Sequence, residues 1–383
     1  MKRMGWILAV LGLLVSALPV GARAADLQAE AKSALLMDVA TGTVMYEQDA
    51  HTPLAPASVT KVMTMLLIME AIDSGRISWN DLVTASEAAA AKGGSQIYLK
   101  VGETMSVADM VKSIAVSSAN DCACAMAEHI AGSEGAFVQM MNAKAKELGM
   151  NDTNFVNCTG LDDDDAAKEH KTSAYDIALM SRQLLKNHPD IKKYTTIWMD
   201  TVRDGTFGLS NTNKLVRFYS GATGLKTGFT SGAGYCLSAS AQRDGMELIA
   251  VVMGCETSAK RFAACKSLLD YGFANYALAQ AELPGQLTVP VKLGTADVVT
   301  AVPSQEQALL IDKAQKNLVS TQVELDPEVT APVSKGQRLG TATVKAGEQV
   351  LCQIPLVAEV AVERLSWGQI FTRVLRQLCM AGQ

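Results

Sequence analysis

The stretch Ser58-Val59-Thr60-Lys61-Val62-Met63-Thr64-Met65-Leu66-Leu67-Ile68-Met69-Glu70-Ala71-Ile72 is apolar almost all the way round a helical wheel. A helix of that kind has no solvent face and belongs in the middle of a domain. Working outward from it, Ser33 to Glu47 alternate around a turn at Ala40-Thr41-Gly42 and read as a β-hairpin. Helical patterns follow at Ser106 to Ser117, Asn120 to Ala131, Gly135 to Leu148 and Ser173 to Asn187. Gly234 to Ala241 and Met246 to Gly254, joined at Arg243-Asp244-Gly245, form a second hairpin rich in Val, Ile and Leu, and Arg261 to Tyr271 reads as a helix. A domain that begins and ends in strands with helices between and after is α+β, built on an antiparallel sheet.

The composition shifts near Leu283-Pro284-Gly285. Short β-like runs follow at Gln286 to Leu293, Gln307 to Ile311, Leu318 to Leu325 and Glu348 to Val357, which predicts a small all-β domain over 284–360 after a first domain over 25–280. In 361–383 the residues Trp367, Ile370, Phe371, Val374, Leu375 and Leu378 gather on one side of a helical wheel, with Arg373 and Arg376 on the other. No acid follows Glu363, and Arg364, Arg373 and Arg376 make the tail +3. That is the make-up of an amphipathic helix lying in a membrane interface; packing on its own protein is the alternative.

With 383 residues, 49% hydrophobic and 19% charged, the chain is an ordinary globular protein rather than a disordered or collagenous one. Lys2 and Arg3, the uncharged run Trp6 to Val20 and the small-residue site Ala22-Arg23-Ala24 make residues 1–24 an export signal, the run being short for a membrane span. Without them 31 basic residues face 39 acidic ones, a net charge of −8, and no basic stripe with interleaved aromatics suggests nucleic acid. The eight cysteines are thinly spread, and Cys122 and Cys124 point to different faces of one helix, so mostly free, buried thiols are expected. No CxxC occurs, the four histidines are not spaced as ligands, and the acidic run Asp162 to Asp165 reads as a solvated loop, so neither a metal nor a cofactor is implied.

Three short motifs carry chemistry. Ser58-Val59-Thr60-Lys61 places a hydroxyl and an amine three apart on one helix face. A serine needs a base to become a nucleophile, and a lysine driven towards neutrality by burial, and further by a second cation, can be that base. Ser118-Ala119-Asn120 lies 60 residues later at a helix break, where the hydroxyl can relay a proton and the amide can hold Lys61 and a substrate carbonyl; an N-cap explains the same residues. Lys226-Thr227-Gly228 comes 108 residues after Ser118 and, on a strand, sets a cation and a hydroxyl beside a cleft, with Gly leaving the edge open to a peptide. Each motif alone arises by chance; the three in order do not.

Together they resemble the serine penicillin-binding proteins and β-lactamases. The closer likeness is to the low-molecular-mass D-alanyl-D-alanine carboxypeptidases, carried also by Ala57 to Thr64, Ser118 to Asp121, Thr159-Gly160-Leu161 with His170, Ser173 to Asp176, and Gly224 to Thr230. The resemblance implies a transpeptidase-like domain, a small β domain and a terminal anchor. It implies Ser58 as nucleophile, Lys61 as its base, and Ser118 and Asn120 in proton transfer and positioning. Lys226, Thr227 and Gly228 would recognise the substrate, Arg261 would be a further carboxylate anchor, and the oxyanion hole would be the N–H groups of Ser58 and Phe229. The implied partners are a peptidoglycan stem peptide ending in D-Ala-D-Ala, β-lactams as covalent inhibitors, and the membrane surface. The implied location is the outer face of the cytoplasmic membrane.

Two competitors share these features. A class A β-lactamase would use a deacylating Glu, for which Glu147 in Glu147-Leu148-Gly149-Met150-Asn151 is the candidate, although Gly149 marks a helix end there. A wall-binding protein with an inert catalytic fold is the other.

Overall fold

The computed structural model describes residues 27–163, 165–305 and 308–380. The expected export signal lies outside them. The first strands are β1 (Ser33–Asp38) and β2 (Val44–Gln48), followed by helices α1 (Lys61–Asp73), α2 (Val107–Ser117), α3 (Asn120–Ala131), α4 (Glu134–Glu147) and α5 (Ala174–Asn187). The chain returns to the sheet through β3 (Ala222–Thr230), β4 (Gly234–Arg243) and β5 (Met246–Cys255) and leaves it along α6 (Ser258–Asn275). The sheet is five-stranded in the order β2-β1-β5-β4-β3, and every pairing is antiparallel.

Both faces of this sheet are covered, which is why β1 is buried at every residue instead of alternating as its sequence suggested, and why β5 is an almost continuous apolar run. Leu35, Met37, Ile249, Val251 and Met253 point into a core shared with α1 to α5. Ala34, Leu36, Leu248, Ala250 and Val252 point the other way, onto Cys265, Leu268, Leu269 and Phe273 of α6. Helix α1 runs through the first core with ten buried residues, as its all-round apolar sequence requires. It begins later than expected: Ala57–Thr60 form a 3-10 turn, and only from Lys61 is the helix α.

Past α6 come β6 (Tyr276–Gln280), β7 (Leu287–Lys292), β8 (Val298–Pro303), β9 (Ala308–Asp312), β10 (Val319–Leu325), β11 (Val329–Thr330), β12 (Arg338–Ala346) and β13 (Gln349–Ala358). Six of them form one sheet, β10-β12-β13-β8-β7-β11, over a separate core that includes Val289, Val299, Leu339, Val344 and Leu356. Strand β12 escaped the sequence reading because Gly340 interrupts it; a side chain there would lie 2.3 Å from the Glu324 carbonyl of the neighbouring strand. Helix α7 (Trp367–Met380) ends the described chain. No helix among the described residues is long and apolar enough to cross a membrane. Seven cysteines are free, and six of those are buried; Cys379 lies outside the described side chains.

Candidate active site

The 3-10 turn at Ala57–Thr60 sets the geometry of the first motif. Residues three apart eclipse one another in a 3-10 turn, so Ser58 stands directly over the start of α1. Lys61 Nζ donates to Ser58 Oγ at 2.9 Å and to the Thr159 carbonyl at 2.8 Å. Lys61 is fully buried, and that burial lowers its pKa to about 7 against the opposing pull of the Cys158 thiol and Asp121. The expected help from a second cation acts instead on Lys226, which burial, then Lys61, then Arg261 push well below the ordinary lysine value.

The turn is held from behind. Thr60 Oγ1 donates to the Ala57 carbonyl at 2.8 Å and lies 2.8 Å from His170 Nε2. The Val156 N–H donates to His170 Nδ1 at 3.1 Å, so the ring is the neutral tautomer with its proton on Nε2, pointing at Thr60. Burial, then the charge of Lys61, lowers the pKa of His170 to about 4, which keeps it neutral. The Thr159 carbonyl that receives Lys61 sits in an Asx-type turn, where Asn157 Oδ1 accepts from the N–H groups of Thr159 at 3.2 Å and Gly160 at 2.7 Å. Gly160 has φ +79, and a Cβ on it would fall 1.9 Å from the Ala57 carbonyl oxygen. Only glycine fits there.

Ser118 terminates α2 with φ 63 and ψ 30, a left-handed conformation that is strained for serine. The N-cap of α3 is Ala119, with no side-chain cap bond, so neither Ser118 nor Asn120 is there to cap the helix. Asn120 does not bond Lys61 as the sequence suggested. Its Nδ2 donates to the Gly93 carbonyl at 2.7 Å, its N–H to the Ser95 carbonyl at 2.7 Å, and its Oδ1 is buried with no partner among the described residues.

The third motif lies on β3, the edge strand of the sheet. Gly228 has a use beyond the one expected: a Cβ on it would lie 2.6 Å from the Pro56 carbonyl and 3.1 Å from the Ser58 nitrogen, so its bareness lets the strand close on the Ser58 turn. Thr227 Oγ1 donates to Thr212 Oγ1 at 2.6 Å, and the Thr212 N–H donates to the Val116 carbonyl at 3.1 Å, tying this strand to the end of α2 beside Ser118. Lys226, 1% exposed, donates to the Thr227 carbonyl at 3.0 Å. Arg261 stands behind the strand, its Nη1 donating to the carbonyls of Gly228 at 2.9 Å and Cys236 at 3.3 Å. Phe229 is 54% exposed and stacks on Tyr235 with ring centroids 4.3 Å apart.

Residues 20–257 match the family profile described as D-alanyl-D-alanine carboxypeptidase. The chain belongs to the D-alanyl-D-alanine carboxypeptidase family. Residues 281–364 match the C-terminal domain of penicillin-binding protein 5. D-alanyl-D-alanine carboxypeptidase DacF of Bacillus subtilis is 42% identical over 361 residues, covering 93% of this chain and 92% of that protein. DacC of Escherichia coli is 34% identical over 358 residues, covering 90% and 86%. Among solved structures, penicillin-binding protein 5 of Haemophilus influenzae superposes with TM-score 0.75 at 31% identity, covering 88% of this chain and 98% of that one. This D-alanyl-D-alanine carboxypeptidase is therefore a serine-type hydrolase of the cell wall and a penicillin-binding protein. Glu147, the candidate deacylating acid of a β-lactamase, points outward with its side chain 64% exposed and pairs with Lys144 at 2.7 Å.

Sequence reasoning did not single out the Thr159 carbonyl, Asn157 or the Thr60–His170 pair as groups packed around Ser58 and Lys61. The Thr159-Gly160-Leu161 stretch and His170 carried the family likeness, but a backbone carbonyl has no residue type by which to recognise it.

Proposed function

We propose that Ser58 is the nucleophile of a D-Ala-D-Ala carboxypeptidase reaction and that Lys61 is its base. The observation that carries this is the 2.9 Å contact between Ser58 Oγ and a fully buried Lys61 whose pKa lies near 7. Ser58 Oγ attacks the carbonyl of the peptide bond before the terminal D-alanine while its proton passes to Lys61 Nζ. The N–H groups of Ser58 and Phe229 receive the charge that develops on the carbonyl oxygen, and each such donor is worth a rate factor of about a hundred or more. As the C–N bond breaks, the proton returns through Ser118 to the leaving amine, and Asn120 Oδ1 accepts from the substrate backbone. Water then hydrolyses the acyl-serine with Lys61 again as base, restoring the Ser58 hydroxyl.

Lys226, Thr227 and Gly228 form the strand that meets the substrate, and the arriving carboxylate favours the charged form of Lys226, against the burial that otherwise disfavours it. Arg261 anchors the same carboxylate electrostatically from behind. A β-lactam follows the first step and stalls as the acyl-enzyme on Ser58. In this reading residues 25–280 are the catalytic domain and 284–360 a β-rich stalk. Residues 1–24 direct export, and 361–383 hold the enzyme peripherally on the outer face of the cytoplasmic membrane. What supports the anchor is that Trp367, Phe371, Val374 and Leu375 are exposed on α7 while Arg373 on that helix pairs with Asp297 of the β-rich domain.

The test is mass spectrometry of the protein with excess benzylpenicillin, beside Ser58→Ala. A persistent adduct on Ser58 that is absent from the variant is expected, together with D-alanine release from a pentapeptide by the wild type alone. An adduct retained in Ser58→Ala would sink the assignment, and rapid penicillin hydrolysis without an adduct would make the protein a β-lactamase.

A further inference from the structure

Outside the cleft, Lys92 and Glu134 form an ion pair at 2.6 Å in which both side chains are mostly shielded from water, 24% and 22% exposed. Glu134 occupies the first turn of α4, where the helix dipole favours a carboxylate. Its two oxygens are in use. Oε1 accepts from the Cys158 N–H at 3.2 Å and from Cys158 Sγ at 3.1 Å; Oε2 takes Lys92 and lies 3.9 Å from Cys124 Sγ. Burial pushes the Glu134 carboxyl up, but Lys92 and the Cys158 donors outweigh it and leave it below the usual carboxylate range.

Cys158, which Glu134 holds, and Lys92 itself each stand in the chain one residue before a carbonyl that touches the proposed machinery. Cys158 precedes Thr159, whose carbonyl receives Lys61 at 2.8 Å, and the Cys158 carbonyl is itself held by Thr64 Oγ1 of α1 at 2.6 Å. Lys92 precedes Gly93, whose carbonyl receives the Asn120 amide at 2.7 Å. The Gly94 Cα approaches that amide so closely that a Cβ would lie 2.8 Å from Asn120 Nδ2. The two segments that aim Lys61 and Asn120 are thus tied to each other through one carboxylate.

We propose that Lys92 and Glu134 are positioning residues for acylation: their pair fixes the Thr159 carbonyl against Lys61 and the Gly93 carbonyl against Asn120, and so sets the reach of the base to Ser58 and the aim of the open Asn120 oxygen. Neither residue touches the substrate. Without Glu134 the Cys158 N–H loses its acceptor and the Thr159 segment is free to relax; without Lys92 the carboxylate is left buried beside two thiols. Misplacing a catalytic group by about 1 Å costs on the order of a hundredfold in rate. The inference rests on Lys61 and Asn120 acting as proposed above.

The experiment measures penicillin acylation by stopped flow, separating the limiting rate k2 from the pre-acylation constant K, for the full chain and for Lys92→Met, Glu134→Gln, the double variant and Lys92→Arg. The expected result is a fall in k2 of about tenfold or more in each single variant with K within about twofold. The double variant is expected to be no slower than the slower single one, and Lys92→Arg to recover most of k2. Unchanged k2 in both single variants, or losses that simply add in the double, overturns the proposal. If Glu134→Gln fails to fold, Lys92→Met, Glu134→Asp and their double variant provide the same k2 comparison. A wild type with no Ser58 adduct refutes the catalytic reading itself, whereas a normal adduct with unchanged k2 in the variants refutes the positioning role alone.

Discussion

Lys61 meets Ser58 at 2.9 Å from a position with no contact to solvent, because the turn that carries Ser58 is 3-10 and the helix that carries Lys61 is the buried axis of its domain. The same placement that shortens the contact also removes water from the amine. One architectural choice therefore sets both the distance and the basicity.

The acylation rate follows from that basicity. Only the neutral amine can take the Ser58 proton, and burial brings the Lys61 pKa to about 7. The penicillin acylation rate of the wild type should climb from about pH 6 to about pH 8 and then level off. Lys61→Arg, which stays charged throughout, should lose about two to four orders of magnitude and show no such rise. A flat profile in the wild type would contradict the base assignment.

Stability should carry the same signature with a definite sign. The folded pKa of Lys61 is about 7 and its ordinary value is 10.5, so between them the unfolded chain holds a proton that the folded chain has released. The penalty of burying the charge is fully present below that window and disappears as pH rises through it. Lys61→Met should therefore gain most over the wild type at the acidic end, and its advantage should shrink upward at a slope no steeper than about 1.4 kcal/mol per pH unit. Urea titrations at several pH values measure this; a pH-independent difference would exclude it.

Gly160→Ala strikes the wall of the Ser58 turn. Its methyl would fall 1.9 Å from the Ala57 carbonyl, at φ +79. We expect a loss of about 2 kcal/mol or more in unfolding free energy and an acylation rate reduced at least tenfold, since the turn must shift to make room. Denaturant unfolding and penicillin labelling on one preparation would show both.

Two neighbours on β3 should answer differently. Gly228→Val places atoms against Pro56 and Ser58 and should abolish acylation. Phe229 presents an exposed ring stacked on Tyr235, and in the proposed reaction only its N–H is used. Phe229→Ala should acylate within about threefold of the wild type, because the backbone donor remains.

The tail can be tested by flotation with anionic lipid vesicles. Full-length mature protein should float with the vesicles and a chain ending at Arg364 should not. Raising salt should weaken binding only in part, because Trp367 and Phe371 supply apolar area that salt does not screen.

The sequence and the structure agree best where periodicity is strong. The all-round apolar α1, the hairpin β4–β5 and the order of the three motifs were legible because each is written in consecutive residues. What could not be read depends on pairs brought together from far apart. Asn120 was expected against Lys61, but its amide is taken by Gly93, and the Thr159 carbonyl takes the lysine instead. Lys92 and Glu134 are 42 residues apart and carry no spacing rule. Gly228 was read only as an opening for the substrate; that its bareness also serves the Ser58 turn could not be read, since a sequence does not say which backbone a glycine lets in.

The free thiols are distributed so that every core holds at least one. Cys122, Cys124, Cys158 and Cys236 lie in the helical core, Cys255 and Cys265 between the sheet and α6, and Cys352 against the core of the β-rich domain. A thiol reagent cannot reach the buried six without an opening of the region around them. The chain thus carries its own reporters of local unfolding: alkylation rates, separated by peptide mapping, would rank the two cores on either face of the five-stranded sheet by how often each comes apart, with half-buried Cys352 as the reference that needs no such opening.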